Sequence, residues 1–196
     1  MKIIEPSVEL IDDIDGAQIL RKLERCGKAS RKSTLGDAES FVRSIIKRGH
    51  ESVLEHVSLT FKIICDRAIM AELTRHRLAS FTVESTRYVK YDDGLTVIGD
   101  PKLNKKQRYR WELGATSAVV AYQDLIELGC TPEIARAVLP LCLATELYMT
   151  ANLREWRHIL KLRTDKAAHP QMRVVAGQIL NILREKLPVV VEDINP

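Results

Sequence analysis

From residue 75 to residue 88 the chain reads Arg75-His76-Arg77-Leu78-Ala79-Ser80-Phe81-Thr82-Val83-Glu84-Ser85-Thr86-Arg87-Tyr88. Three arginines, a histidine, two serines and two threonines crowd into this stretch. That mix is poor core material and rich in donors for an anion. A guanidinium grips phosphate oxygens bidentately, and hydroxyls add short neutral bonds. Read as a strand, Ser85-Thr86-Arg87-Tyr88 puts Ser85 and Arg87 on one face, where they could hold a phosphate. Arg75-His76-Arg77 falls near an expected helix end, where cations favour the negative pole of the helix dipole. Three consecutive helical residues point about 100° apart. They could serve two ligands, or one ligand and a neighbouring subunit, or form a solvated helix terminus.

Other polar groups stand at suggestive places. His50-Glu51 and Glu55-His56 are metal-ligand types. Their spacing is not HExxH, and on a helix the two histidines fall on nearly opposite sides, so no metal is expected. Ser52-Val53-Leu54-Glu55 fits a capping box, and such a helix start can also bind a phosphate. Arg136 lies in an apolar run; it either meets an anion or snorkels to water. Asn152, Arg154, His158, Arg163 and His169-Pro170-Gln171 are polar groups among apolar neighbours. Alone they read equally as an amphipathic helix and loop. Cys26, Cys65, Cys130 and Cys142 form no CxxC pair. Buried free thiols are the expectation, with only Cys26, beside Arg25 and Lys28, in a setting that would activate a thiolate.

These groups need elements to hold them. The chain has 196 residues, enough for one domain, residues 1–196, with a real core. Apolar residues make up 45%, charged residues 29%, and the net charge is +4. That surplus suits an anionic small molecule. With 5% aromatic residues and no module motif, a basic nucleic-acid-binding protein is the weaker alternative, and no nucleic-acid partner is expected. No apolar run approaches the ~20 residues of a membrane span, and the start lacks a secretory core, so a cytoplasmic location without membrane contact is expected.

The first thirty residues read as a strand and a short helix. A helix over Asp37 to Arg48 has Asp37 as cap, Phe41, Val42, Ile45 and Ile46 on one face, and Gly49 as stop. Val57, Leu59, Phe61 and Ile63 alternate with polar residues, a half-buried strand. Asp66 caps a helix carrying Ile69, Met70 and Leu73. Residues 85 to 97 read as extended, with a turn at Asp92-Asp93-Gly94. The remainder reads as helical. Residues 107 to 128 carry Val119, Tyr122, Leu125 and Ile126 and stop at Gly129. Further helices open at Thr131-Pro132-Glu133, Asn152-x-x-Glu155 and His169-Pro170, the last burying Val174, Val175, Ile179, Ile182 and Leu183. Helices outnumber strands, and the fold class is α+β.

Arg75-His76-Arg77, seven residues, then Ser85 resembles the RHR-x7-S pattern of the flavin-dependent thymidylate synthases. Gly49-His50-Glu51-Ser52-Val53-Leu54-Glu55-His56 is similar to that family's G-H-x-[ST]-x-x-E-H segment. Ala135-Arg136-Ala137-Val138-Leu139-Pro140 is similar to its A-R-x-x-L-P. Asn152-Leu153-Arg154, Leu162-Arg163 and His169-Pro170-Gln171 follow in family order. The resemblance covers roughly residues 37 to 190. The frequent S-x-N-E-x-S-x-R-Y form is altered: Thr82 and Val83 replace Asn and Glu, Glu84 comes one position late, and Glu72 stands for a frequent glutamine.

The resemblance implies the family fold, α+β with helices packed on a small, mostly antiparallel sheet, in a homotetramer with shared active sites. It implies reductive methylation of dUMP to dTMP, with methylenetetrahydrofolate as one-carbon donor, reduced FAD as hydride donor and NADPH as the usual reductant. It assigns FAD contacts to Ser52, Glu55, Arg75, His76, Arg77, Asn152, Arg154 and His158. It assigns dUMP contacts to Glu72, Arg75, Ser85, Thr86, Arg87, Arg136 and Arg163. Arg163 would be the catalytic residue, favouring ionisation of the uracil ring without an enzyme nucleophile. The departures at Thr82 and Val83 leave a nucleotide-binding but inactive family member as the alternative.

Overall fold

A computed structural model describes residues 1–30, 32–89, 91, 94–100 and 102–196. Strands β1 (Lys2–Ile4) and β2 (Ser7–Leu10) precede helices α1 (Gly16–Ala29) and α2 (Ala38–Lys47). A 3-10 turn (Glu51–His56) leads into β3 (Ser58–Asp66), α3 (Arg67–Leu73), β4 (Ala79–Val83) and β5 (Thr96–Ile98). Then come α4 (Lys105–Glu127), α5 (Pro132–Ala135) and a 3-10 turn (Arg136–Val138). The chain ends with β6 (Ala144–Asn152), α6 (Leu153–Arg163), α7 (Pro170–Lys186) and α8 (Pro188–Val191). The class is α+β: helices with a small, mostly antiparallel sheet of order β2-β3-β6-β4. A separate parallel pair joins β1 to β5, Ile3 opposite Val97. Among the described residues, no helix is long and apolar enough to cross a membrane.

The chain forms two compact units. Unit one holds residues 1–7, 64–75 and 82–147; unit two holds 8–63, 76–81 and 148–196. In unit one, Val119 and Tyr122 of α4 pack with Leu95, Ala135 and Leu143. In unit two, Phe61 of β3 meets Trp156 of α6 edge to face, ring centroids 4.9 Å apart. The indole N–H of Trp156 donates to the Leu59 carbonyl at 3.0 Å, so its one polar atom is satisfied in the core.

The period of two in β3 is realised: Leu59, Phe61, Ile63 and Cys65 are buried. The caps also hold. Asp37 accepts from the backbone N–H groups of Glu39 and Ser40, and Asp66 from that of Ile69 at 2.7 Å. Gly49 and Gly129 follow their helices at φ of +71° and +88°, the left-handed geometry glycine adopts without strain. Because Asp66 is buried, its cap has no competing water. Asp66→Ala should lower stability by about 1–2 kcal/mol, a fall in Tm of roughly 2–8 °C, with Asp66→Asn recovering most of it. Thermal melts of the three proteins check this.

Several expected elements differ. The N-terminal region holds two strands and a fourteen-residue helix rather than one strand and a short helix. Ser52 and Glu55 form no capping box: Ser52 lies inside a 3-10 turn whose N-cap is His50, and the Glu55 carboxylate pairs with Arg154. Residues 144–152, expected to be helical, are strand β6. Ala, Glu, Leu and Met favour helix, but Thr145, Leu147, Met149 and Ala151 alternate inward, and sheet burial outweighs the propensity. Strand β4 lies N-terminal to the expected extended stretch, in which, among the described residues, strand begins only with β5. In the expected turn, Asp92 and Asp93 lie outside the described residues. The helix opened by Pro132 is a single turn. In α7 Val175, Ile179 and Leu183 are buried, but Val174 is exposed; Met172, Ala176 and Leu180 complete the inner face.

Candidate active site

Most of the residues assigned to FAD belong to unit two. Helix α6 begins where the Asn152 side-chain carbonyl accepts from the Glu155 backbone N–H at 2.9 Å. That bond occupies the Asn152 oxygen and leaves its amide group as a donor. Four-residue spacing then sets Arg154 and His158 on the exposed face of α6, while Glu155, Trp156 and Arg157 turn inward. Glu55, Asn152, Arg154 and His158 line one cleft of about 630 Å³, beside the exposed Leu78. Arg154 reaches across to Glu55 at 2.5 Å. Both partners are largely exposed, so the pair is a weak tether that an incoming anion can compete for. Ser52 lies in a neighbouring cleft of about 710 Å³, which Arg154 also lines. A further cleft of about 1140 Å³ beside α1 is lined by none of the assigned residues.

The arginines and histidine of the signature follow directly on the end of α3, as expected. α3 closes at Thr74. Arg75 and Arg77 are exposed, whereas His76 is buried. Its Nε2 accepts from the Nε–H of Arg163, the last residue of α6, at 3.0 Å. Its Nδ1 lies 3.6 Å from the Glu155 carboxylate. That separation exceeds a hydrogen bond. The ring is nevertheless neutral: burial, then the Arg163 cation, then His158 push its pKa down to about 4. His76, Glu155 and His158 are a three-residue group with metal-ligand atoms within 4.8 Å of one another. The arrangement does not fit a metal. A cation's N–H occupies Nε2, and a neutral ring must then carry its proton on Nδ1, the atom facing Glu155.

Most of the residues assigned to dUMP belong to unit one. Ser85 to Tyr88 is a turn, so Ser85 and Arg87 do not share a strand face. The backbone N–H groups of Tyr88 and Val89 both donate to the Ser85 carbonyl, and the Ser85 hydroxyl accepts from the Arg87 N–H at 3.3 Å. Among the described residues no base hydrogen-bonds that hydroxyl. Thr86 is buried and accepts from Arg136 at 3.4 Å. Arg136 itself is exposed, so it needs no buried counter-ion. Arg87 pairs with Glu133 at 3.1 Å on the surface. Glu72 is half-buried on α3, and its backbone carbonyl accepts from the Arg75 N–H. Arg75 therefore falls in unit one and Arg163 in unit two.

Sequence reasoning gave no site role to three groups. Arg67 donates to the Thr145 hydroxyl at 2.8 Å and to the Glu84 carbonyl, bracing the turn that begins at Ser85. Glu84 accepts from the Tyr91 hydroxyl at 2.5 Å, where burial and then that hydrogen bond raise the phenol pKa. Glu155 backs His76. The capping-box spacing at Asn152 pointed at Glu155 only as a helix-start residue. The cysteines are free thiols. Burial pushes the Cys65 pKa up to about 12 and raises that of Cys142, so neither offers a thiolate at neutral pH.

The pattern of basic and hydroxylic groups on an α+β frame has close counterparts. The family model Thy1, thymidylate synthase complementing protein, matches residues 10–189. The chain is 35% identical over 169 residues to the flavin-dependent thymidylate synthase of Geobacter sulfurreducens, covering 84% of this chain and 73% of that one. It is 35% identical over 150 residues to that of Thermococcus onnurineus, covering 74% and 61%. The crystal structure of a UMP/dUMP methylase, PolB from Streptomyces cacaoi, bound with 5-Br dUMP, superposes with a TM-score of 0.82. Its sequence is 28% identical, and 98% of this chain and 96% of that one are covered. A second structure of that methylase, bound with 5-Br UMP, gives 0.79. The chain is thus a member of a class of α+β enzymes. It belongs to the Thy1 family, the flavin-dependent thymidylate synthases.

Proposed function

We propose that this chain methylates dUMP at C5 to give dTMP, with methylenetetrahydrofolate as one-carbon donor and NADPH as reductant of the flavin. The observation that carries the reading is the cleft where Glu55, Asn152, Arg154 and His158 converge, in a chain whose family match spans residues 10–189. Its donors suit a phosphate-bearing flavin: Arg154 and Lys161 supply charge, the Asn152 amide a neutral donor, and Leu78 an apolar wall. Ser52, Arg75, His76 and Arg77 complete the set that would hold FAD. When bound and reduced, FAD supplies the hydride.

The other residues bind and polarise the nucleotide. Arg87, Ser85 and the turn around them would hold the phosphate, with Thr86, Arg136, Glu72 and Arg75 beside it. Arg163 would face the uracil. A fixed guanidinium there stabilises negative charge on the ring, favours loss of the N3 proton and makes C5 more nucleophilic. This route needs no enzyme nucleophile. It accords with a Ser85 hydroxyl that no base among the described residues hydrogen-bonds and with the raised pKa values of the Cys65 and Cys142 thiols.

The working unit is one catalytic domain, residues 1–196, in a cytoplasmic homotetramer. Tyr109, Leu113 and Val120, all exposed on α4, supply apolar material for a contact between copies. The likeness to a UMP/dUMP methylase favours one second reading, that UMP is also a substrate. Purified protein reconstituted with FAD should show a flavin spectrum and release tritium from [5-³H]dUMP when folate and NADPH are supplied. A colourless protein that FAD cannot reconstitute would end the proposal. Running [5-³H]UMP alongside decides the second reading.

A further inference from the structure

We propose that Glu155 is a positioning residue: acting through His76, it fixes the orientation of the Arg163 guanidinium. Its bearing on catalysis rests on the role given to Arg163 above; its structural part does not.

A guanidinium can only donate hydrogen bonds. The 3.0 Å bond from Arg163 Nε to His76 Nε2 therefore requires a lone pair on Nε2. A charged imidazole has none to offer, so the bond exists only with a neutral ring. In that ring the proton sits on Nδ1, and Nδ1 points at the Glu155 carboxylate, 3.6 Å away. At this distance the carboxylate acts by charge. It favours the N–H end of the ring dipole and disfavours the tautomer that would place a lone pair against it. His76 is 5% exposed and Glu155 7%, so solvent screens the interaction little. His158, 6.1 Å from His76 between ring centroids, is exposed and meets the ring at its edge.

The array has a rigid base. Glu155 stands in the first turn of α6, where its own backbone N–H is held by Asn152, and Arg163 ends the same helix. The two ends of one helix thus close on a single ring. Without the carboxylate, His76 can place its proton on Nε2 and present a donor to a donor. The Arg163 guanidinium then loses its hydrogen bond to His76.

The test combines a spectrum with a rate. Protein labelled with ¹⁵N-histidine is read by long-range ¹H–¹⁵N correlation, His76 being assigned by the signals lost in H76Q. Wild type should show a neutral His76 with the proton on Nδ1. E155D keeps the carboxylate charge and should keep that tautomer. E155L should show a mixture or the opposite tautomer. In tritium release, E155L should lose about tenfold in kcat with little change in KM for the nucleotide, and E155D should stay within about threefold of wild type. A wild-type proton on Nε2 overturns the inference, as does an E155L ring that keeps the wild-type tautomer. A shifted tautomer with unchanged kcat overturns the link to Arg163. If wild type releases no tritium, the proposed activity fails, and the spectra of wild type and E155L still decide the structural part.

Discussion

Arg163→Ala is expected to lower kcat for dUMP methylation about 100-fold or more, roughly 2.7 kcal/mol of transition-state stabilisation. The size follows from where the guanidinium sits. It ends α6, is half-buried, and is held by His76 at 3.0 Å. A charge fixed before the reaction starts costs no reorganisation as the ring becomes anionic. KM for dUMP should change much less, because the phosphate is assigned to other residues. Arg163→Lys keeps the charge but loses the planar fork and the Nε donor to His76, so it should fall between alanine and wild type. With a neighbouring cation gone, His76 in Arg163→Ala should titrate at a higher pH than in wild type, since Arg163 is one cause of its lowered pKa. Tritium release gives the rates, and the flavin absorbance of the variant reports whether FAD is retained. Turnover near wild type with FAD bound would remove Arg163 from the chemistry.

The same helix shows how much of the site could be read from residues alone. Capping chemistry is local, so Asp37, Asp66 and Asn152 were legible as helix starts, and each side chain accepts from its own first turn. Period-two burial made β3 legible, because polar residues separate its apolar ones. Strand β6 was not legible. Its Glu146, Leu147 and Met149 favour helix, and only pairing within a sheet, a non-local effect, makes the alternation decisive. The turn at Ser85 failed for a related reason. β-branched residues suggested extension, while the backbone bonds to the Ser85 carbonyl and the brace from Arg67 set a turn. The arginines and histidines were legible as a set because their chemistry is rare in cores. Glu155 was not, because a glutamate three residues after an N-cap is also what a solvated helix start carries. Only burial beside His76 gives it a second use.

The largest stability effect should come from Arg157, whose side chain is 1% exposed. Burial alone works against its charge, but hydrogen bonds to Asp193 and then Glu51 outweigh that and hold its pKa above the ordinary value. One fork grips the Asp193 carboxylate at 2.6 and 2.9 Å, Glu51 accepts at 3.0 Å, and the Val190 carbonyl takes a further N–H. The residue thereby ties the C-terminal turn after α8 to the 3-10 turn that carries Ser52 and Glu55. Arg157→Ala should cost about 3 kcal/mol, the lower end for breaking a buried pair, because Glu51 and Asp193 are partly exposed and can rehydrate. In Tm that is a fall of roughly 6–12 °C. The pH dependence has a definite sign. Hydrogen bonding to Arg157 lowers the Asp193 pKa to about 2, below its unfolded value. Stability from this pair is therefore fully present above about pH 4 and is lost as the pH falls through about 2. With the side chain 41% exposed, solvent screening limits that loss to about 1–2 kcal/mol. Urea unfolding at pH 6, 4, 3 and 2 should show the component in wild type and its absence in Arg157→Ala. Equal acid sensitivity in the two proteins would mean that Asp193 draws its low pKa from Lys161, 3.2 Å away, rather than from Arg157.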